Sequence, residues 1–410
     1  MSKQIALPRV RRLLLGLYLV AALGDATAKA IAADPGLIGR IASHVPTQRP
    51  AGNFEIFREA SRRLMHDENV YAPYPNKSQD RFKYSPTFAL FFVPFAWLPW
   101  SIALVLWSAV NAFVLFIAIE RLLPPAEAYL ALACLLPEVL RSMQNAQSNA
   151  LVAGLIVLAF IAFERERPWR GAAAAVLGGF IKIFPLAALS FAIPRRKTFV
   201  AGVATIAVAV VLALAPLVVT SPTQLLAQYR WWTFTESADA TQRWFSVMEL
   251  FHRWFGGDAP NWPFQLAGTV LLLAPLALRR DRWRDPRFRL LYLCSVLVYV
   301  TIFNHQAERS SYLIAFTGAS VWFVSGERAP MRVVLYAIAL LTIPLMSTLL
   351  PIPAVLRSPT AMAYRLALPM TMIWLVMQRD LFSRGSSVVP ASQRGALQLP
   401  EVRQANASSA

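Results

Sequence analysis

Charge is scarce in this chain. Only 15% of its 410 residues are Asp, Glu, Lys or Arg, against roughly 25% in a soluble domain. By contrast 57% are hydrophobic, and mean hydropathy is +0.47. That balance excludes an ordinary water-soluble globule. Cysteine is nearly absent. Cys134 and Cys294 both fall inside apolar runs, which suits core packing better than a disulfide or a metal centre. The four histidines offer no HxxxH-type spacing, so no zinc site is expected. Acidic residues number 22 against 40 Lys and Arg, a net charge of +18. That excess does not mark a nucleic-acid binder, because the arginines sit in short loops between hydrophobic runs, where membrane orientation accounts for them. No internal repeat stands out, which weighs against inverted-repeat transporters.

What the chain does have is a succession of continuous apolar runs of about 17–22 residues, enough to cross hydrocarbon. Runs of that length fit helices rather than barrel strands. The start, "MSKQIALPRVRRLLLGLYLVAALGD", resembles a signal sequence but is not followed by a small-residue cleavage site. It reads as an uncleaved first span near 13–32 whose Lys3, Arg9, Arg11 and Arg12 hold the N-terminus in the cytoplasm. The basic loops "ERERPWR", "RRK", "RRDRWRDPRFR", "GERAPMR" and "QRDLFSR" likewise read as cytoplasmic. Further spans are expected near 100–120, 127–140, 147–163, 198–219, 262–280, 288–304, 310–325, 331–350 and 361–378. The expected fold class is therefore all-α: a polytopic membrane protein of about ten transmembrane helices plus re-entrant or interfacial helices, with both termini inside. Residues 1–384 form one domain with exoplasmic loops at 33–99 and 220–261, and 385–410 form a disordered cytoplasmic tail.

Two stretches break the pattern. "PTFALFFVPFAWLPW" (86–100) is too short and too proline-rich to cross, and reads as an outer re-entrant or interfacial hairpin. "GAAAAVLGGFIKIFPLAALSFAIP" (171–194) has basic loops at both ends, so it enters and leaves on one face. Gly178, Gly179 and Pro185 break it in the middle, with Lys182 at the break. Backbone broken at membrane depth is tolerated only inside protein or beside a wet cavity.

Polar residues not needed for orientation collect on the outer face. "NFEIFREASRRL" has helical period and reads as an interfacial amphipathic helix capped by Asn53, or as a helix that turns Asn53 and Glu55 toward a catalytic cavity. Asp80, Lys83 and Tyr84 precede the outer hairpin, as turn chemistry or as part of a site at the membrane boundary. Gln147 and Asn149 in "QNAQSN" are helix caps, or carboxamides that read sugar hydroxyls with a donor and an acceptor together. Lys182 either snorkels or meets an anion. His305, Glu308 and Arg309 share one short loop, and His305 and Arg309 at i, i+4 suit a phosphate clamp as well as simple solvation. The aromatic stretch at 228–256 is an interfacial belt or a lid over sugar.

The order and spacing of "NFEIFREASRRLMHDENVYAPYP", "FKYSPTFALFFVPFAWLPW", "QNAQSNALVAGLIVLAF" and "GGFIKIFPLAAL" closely resemble glycosyltransferase family 87, the polyprenyl-phosphate-mannose-dependent mannosyltransferases of the membrane C-type superfamily. The likeness covers roughly 10–320. It implies a C-type glycosyltransferase architecture in a bacterial inner membrane and an inverting transfer on the exoplasmic, periplasmic face. The donor would be a hexose such as mannose on polyprenyl phosphate, the acceptor a lipid-linked sugar or envelope glycan, with neither nucleotide nor metal nor other cofactor required. An acid in the first outer loop would act as general base, and cations would stabilise the leaving phosphate. Gln147, Asn149 and Lys182 match the family motifs residue for residue; His305 and Glu308 follow by position in their loop. Where the family has its catalytic Asp, this chain has Asn53, and an amide cannot take a proton. Asp80 is then the expected base, with Glu55 next. Lys83, Lys182, His305 and Arg309 are expected at the donor phosphate, and Asn53, Tyr84, Gln147, Asn149 and Glu308 at substrate. A flippase for polyprenyl-linked glycan and a non-catalytic assembly partner are the competing readings. The spans are almost clean of charge, which disfavours the first; Asn53 keeps the second.

Overall fold

Four helices open on a capping side chain followed at once by proline: Ser85–Pro86, Ser221–Pro222, Asp285–Pro286 and Ser358–Pro359. In each the capping oxygen accepts a backbone N–H of the first turn. The hydroxyl or carboxylate satisfies a donor that the helix leaves orphaned, and the proline supplies a preset φ where no N–H is needed. The computed structural model describes residues 2–33, 52–73, 81–257, 259–350 and 353–383. Asp80 and the expected tail lie outside them.

The described residues are all-helical, with no strand. In chain order the helices are α1 (Ser2–Ala33), α2 (Gly52–Met65), α3 (Pro86–Phe91), α4 (Val93–Trp97), α5 (Trp100–Leu122), α6 (Pro125–Gln144), α7 (Asn149–Glu164) and α8 (Pro168–Ile181), followed by a 3-10 segment (Phe184–Ala192). Then come α9 (Thr198–Leu214), α10 (Pro222–Ala238), α11 (Val247–Phe255), α12 (Trp262–Leu278), α13 (Pro286–Ile302), α14 (Tyr312–Ser325), α15 (Pro330–Leu340), which runs on into a π-helical stretch (Leu341–Leu349), and α16 (Pro359–Phe382). A helix lies at each stretch expected to span. Three are long and apolar enough to cross a membrane: Trp100–Leu122, Thr198–Val218 and Pro359–Phe382. Asn149–Glu164, Trp262–Leu278 and Pro330–Met346 are apolar but shorter. Only 17% of the apolar window of Thr198–Val218 is buried inside the protein. Phe199, Ile206 and Val211 point outward from α9, as they do in a helix whose solvent is lipid.

Ion pairs gather at one end of the bundle. Glu164, at the close of α7, receives Arg289 Nε at 2.8 Å from α13 and the Arg195 guanidinium from beyond the 3-10 segment. Arg11 Nε meets Glu120 at 2.7 Å, and Arg279 donates to the carbonyl of Phe382. α7 therefore runs toward this basic end, α8 runs back from it, and the 3-10 segment returns to it. The result is a hairpin with Lys182 at its tip. Gly178 and Gly179 permit it: a Cβ on Gly178 would lie 2.9 Å from Pro185 Cβ, so the two arms are closer than a side chain allows.

At the opposite end α2 and the short α3–α4 hairpin wrap an aromatic cluster. The Phe57 ring meets those of Tyr84, Phe88 and Phe92 edge-on, with centroids 4.9, 5.1 and 5.3 Å away. Arg58 ties α2 to the end of α4 through the carbonyls of Ala96 and Leu98, both at 3.1 Å. The apolar stripe of α2 (Phe54, Phe57, Ala60 and Leu64) is fully buried. The stripe read from the sequence faces protein rather than a bare bilayer surface.

Candidate active site

A cavity of about 510 Å³ opens at the end away from the Glu164 and Glu120 ion pairs. Most of its polar groups come from the end of a helix or from a break in one. Asn53 comes from the first turn of α2, Lys83 and Tyr84 from the segment before α3, Gln147 from the turn before α7, and Lys182 from the hairpin tip. Trp232 and Glu236 come from α10, Gln265 from the first turn of α12, and His305 and Glu308 from the loop after α13. Apolar helix interiors cannot supply polar groups cheaply, whereas helix ends leave backbone groups that already call for polar company.

The groups are wired together. The Tyr84 hydroxyl donates to Gln147 Oε1 at 3.2 Å, and Gln147 Nε2 donates to Glu308 Oε2 at 3.3 Å. Lys83 Nζ sits 2.5 Å from Asp239 Oδ2, which also accepts from Gln306 Nε2 at 3.3 Å. Lys182 Nζ donates to Asn149 Oδ1 at 2.7 Å, so the hydrogen-bond partner of this cation is a neutral carboxamide. Gln265 Nε2 lies 3.2 Å from His305 Nδ1, and His305 Nε2 is buried with no partner among the described residues. With an amide donor on Nδ1, the neutral ring carries its proton on Nε2, as a donor in want of an acceptor. Burial holds the His305 pKa below its usual value; Asp239 opposes the shift and Lys83 adds to it.

Of the residues expected from sequence, Asn53, Lys83, Tyr84, Gln147, Lys182, His305 and Glu308 share this cavity. Asn149 stands one bond behind, holding Lys182. Glu55 and Arg309 are placed elsewhere. The Trp100 indole donates to Glu55, which points the carboxylate away from the lining. Arg309 forks onto Glu138 at 2.8 and 2.5 Å and onto the Ile343 carbonyl at 2.8 Å. The i, i+4 clamp with His305 does not form, because a 3-10 turn starts at Arg309 and aims the two side chains apart. Asp80 lies outside the described residues.

The sequence reading names only part of the lining; Arg81, Trp232 and Glu236 are among the residues it misses. For Trp232 and Glu236 a signal is present. They stand at i, i+4 on one helix face within the aromatic stretch that had been read only as a belt or a lid. Asn53 also has a definite task. Its Nδ2 donates to the carbonyl of Asn145 at 2.9 Å, a bond that an aspartate, which can only accept, would not make.

An all-helical, lipid-facing protein with a polar cavity at one end and cations converging on it is built as a membrane enzyme for an anionic substrate is built. The model of Glycosyltransferase family 87 matches residues 82–303, more than half of the chain, and the chain belongs to that family of membrane glycosyltransferases. No curated protein matches it.

Proposed function

We propose that the protein transfers a hexose, mannose or a relative of it, from polyprenyl phosphate to a lipid-linked or envelope glycan acceptor, with inversion, on the exoplasmic face of a bacterial inner membrane. The observation that carries this reading is the meeting of Lys182, Arg81 and the unpartnered His305 Nε2 in one cavity. A phosphate leaving group needs such fixed positive and donor groups where its charge develops. Lys182 reaches it from a hairpin that does not cross, with its head held by Asn149. The neutral His305 donates Nε2–H to a phosphate oxygen. Gln147 and Asn53 set the polar floor against which sugar hydroxyls are read. The Trp232 and Trp244 rings on the same wall offer apolar faces to a pyranose.

The test is transfer of radiolabelled mannose from polyprenyl-phosphate mannose to a total lipid extract by purified protein in proteoliposomes. Wild type moves label to an acceptor lipid. Lys182→Met lowers kcat by about 100- to 1000-fold, the loss typical of removing one charge-stabilising donor. Absence of transfer by wild type from every polyprenyl-phosphate sugar offered overturns the reading.

A further inference from the structure

We propose that Glu236, on α10, is the general base that takes the proton of the acceptor hydroxyl; the assignment rests on the transferase reading above. By the resemblance drawn from the sequence, Asn53 stands where the family carries its carboxylate, and an amide cannot take a proton; the carboxylates around the cavity are the candidates.

The carboxylates near the cavity differ in what already occupies them. Asp239 is bonded to Lys83, Gln242 and Gln306. Glu308 accepts from Gln147 and, at 3.5 Å, from Ser310. Hydrogen bonds to a carboxylate favour its charged form and weaken it as a base. Glu55 is turned onto Trp100. Glu236 lines the cavity one helical turn beyond Trp232, whose neutral indole is set against its carboxylate as a hydrogen-bond donor and also donates to the Lys83 carbonyl at 3.3 Å. That bond pins α10 to the segment before α3, so the face carrying Glu236 is held toward the cavity. The carboxylate lies within electrostatic reach of both Lys83 and Lys182, beside the cations assigned to the leaving phosphate and not bonded to either.

The step balances. The acceptor O–H gives its proton to a Glu236 oxygen, and the oxygen's electron pair forms the bond to the anomeric carbon. The bond from that carbon to the phosphate oxygen breaks, and its pair leaves with polyprenyl phosphate. Glu236 then returns the proton to water.

A base of this kind should be stronger than an ordinary carboxylate. Burial, seconded by Asp239, holds the Glu236 carboxyl above its usual value, against the pull of Lys83, the Trp232 hydrogen bond and Lys182. Tyr84 also faces it, and Glu308 and His305 line the same cavity. Because the base acts deprotonated, kcat is retained above its pKa and lost as pH falls through it. The acid limb of the profile is expected above the ordinary glutamate value of about 4.3.

The experiment compares wild type, Glu236→Gln, Glu236→Asp, Glu308→Gln and Asp80→Asn in the proteoliposome assay. Donor KM and the pH profile of kcat are measured together. Glu236→Gln is expected to lose kcat by about 100- to 10 000-fold with donor KM within threefold or so, the size of a general-base contribution. Asp80→Asn is expected to keep at least about a tenth of kcat, and Glu308→Gln, which takes the charged acceptor from Gln147, to raise KM with the acid limb of the profile unmoved. Should the Gln variant not fold, Glu236→Asp, which keeps the charge and shortens the reach, is expected to fold with reduced kcat and an acid limb moved to lower pH. Transfer by wild type together with near-wild-type kcat in Glu236→Gln, or in Glu236→Asp where it stands in, overturns this assignment and leaves the transferase reading intact. So does loss of kcat in Asp80→Asn alone. A wild type that transfers nothing overturns both.

Discussion

Arg309 was expected at the donor phosphate and is found bonded to Glu138, and that pairing has a measurable consequence. The Glu138 side chain is 0% exposed and that of Arg309 12%. The guanidinium makes two parallel bonds to the carboxylate and a third to the Ile343 carbonyl. It joins α6 to the start of α14 and to the π-helical stretch after α15. In Arg309→Met a buried carboxylate keeps its charge and loses both strong donors. Such a break costs about 3–5 kcal/mol, whereas removing both charges together is far milder. Glu138→Gln should cost less than Arg309→Met, because Arg309 retains the Ile343 carbonyl and some access to water. The double variant Glu138→Gln/Arg309→Met should recover more than about 1 kcal/mol relative to the sum of the singles, the coupling expected of residues in direct contact. The assay is reversible denaturant unfolding of the purified protein in detergent micelles, with donor KM measured on the folded fraction. Arg309→Met unfolding within about 1 kcal/mol of wild type, or unchanged stability with a donor KM raised tenfold or more, would refute the structural role argued for Arg309.

Two other outcomes are expected. A Cβ on Gly318 would stand 2.7 Å from the Cys294 carbonyl oxygen and 2.8 Å from Leu297 Cβ, so Gly318→Ala forces α13 and α14 apart and costs about 1–3 kcal/mol of unfolding free energy; wild-type stability of that variant would contradict the packing. Because the pKa of His305 is depressed in the fold, the unfolded chain takes up that proton first on acidification. The contribution of His305 is therefore complete above about pH 6.5 and lost below it. Thermal unfolding of wild type should weaken on acidification more steeply than that of His305→Gln, and parallel curves would count against the buried neutral ring.

How much of this was legible in sequence depended on how local each cause is. Helix positions were, because an apolar run and its flanking proline or arginine are neighbours in the chain. The hairpin at Lys182 was legible for the same reason: Gly178, Gly179, Pro185 and the lysine lie within eight residues of one another. The partner of Arg309 was not, since Glu138 is 171 residues earlier and nothing in its surroundings marks it as the mate. Glu55 lies on the polar stripe of α2, as its period indicates. Which way Glu55 looks was decided by Trp100, the first residue of α5. Glu236 escaped notice because its stretch reads as an aromatic belt by composition, and only the docking of α10 on the Lys83 segment turns one face of it inward.

The same distinction bears on chemistry. Every polar group argued to act comes from the first or last turn of a helix, or from the break between two, and all of them open at one end of the molecule. Lys182 is the informative case. To bring one ammonium to that end the chain folds a hairpin from the basic end and back, which would be needless if polar groups were to be strung along a crossing path. A conduit for a sugar headgroup needs polar residues at successive depths; a transferase needs them gathered at a single depth around one bond. The arrangement of Lys182, His305, Gln147 and Glu236 is of the second kind, which favours chemistry at one face over passage between two.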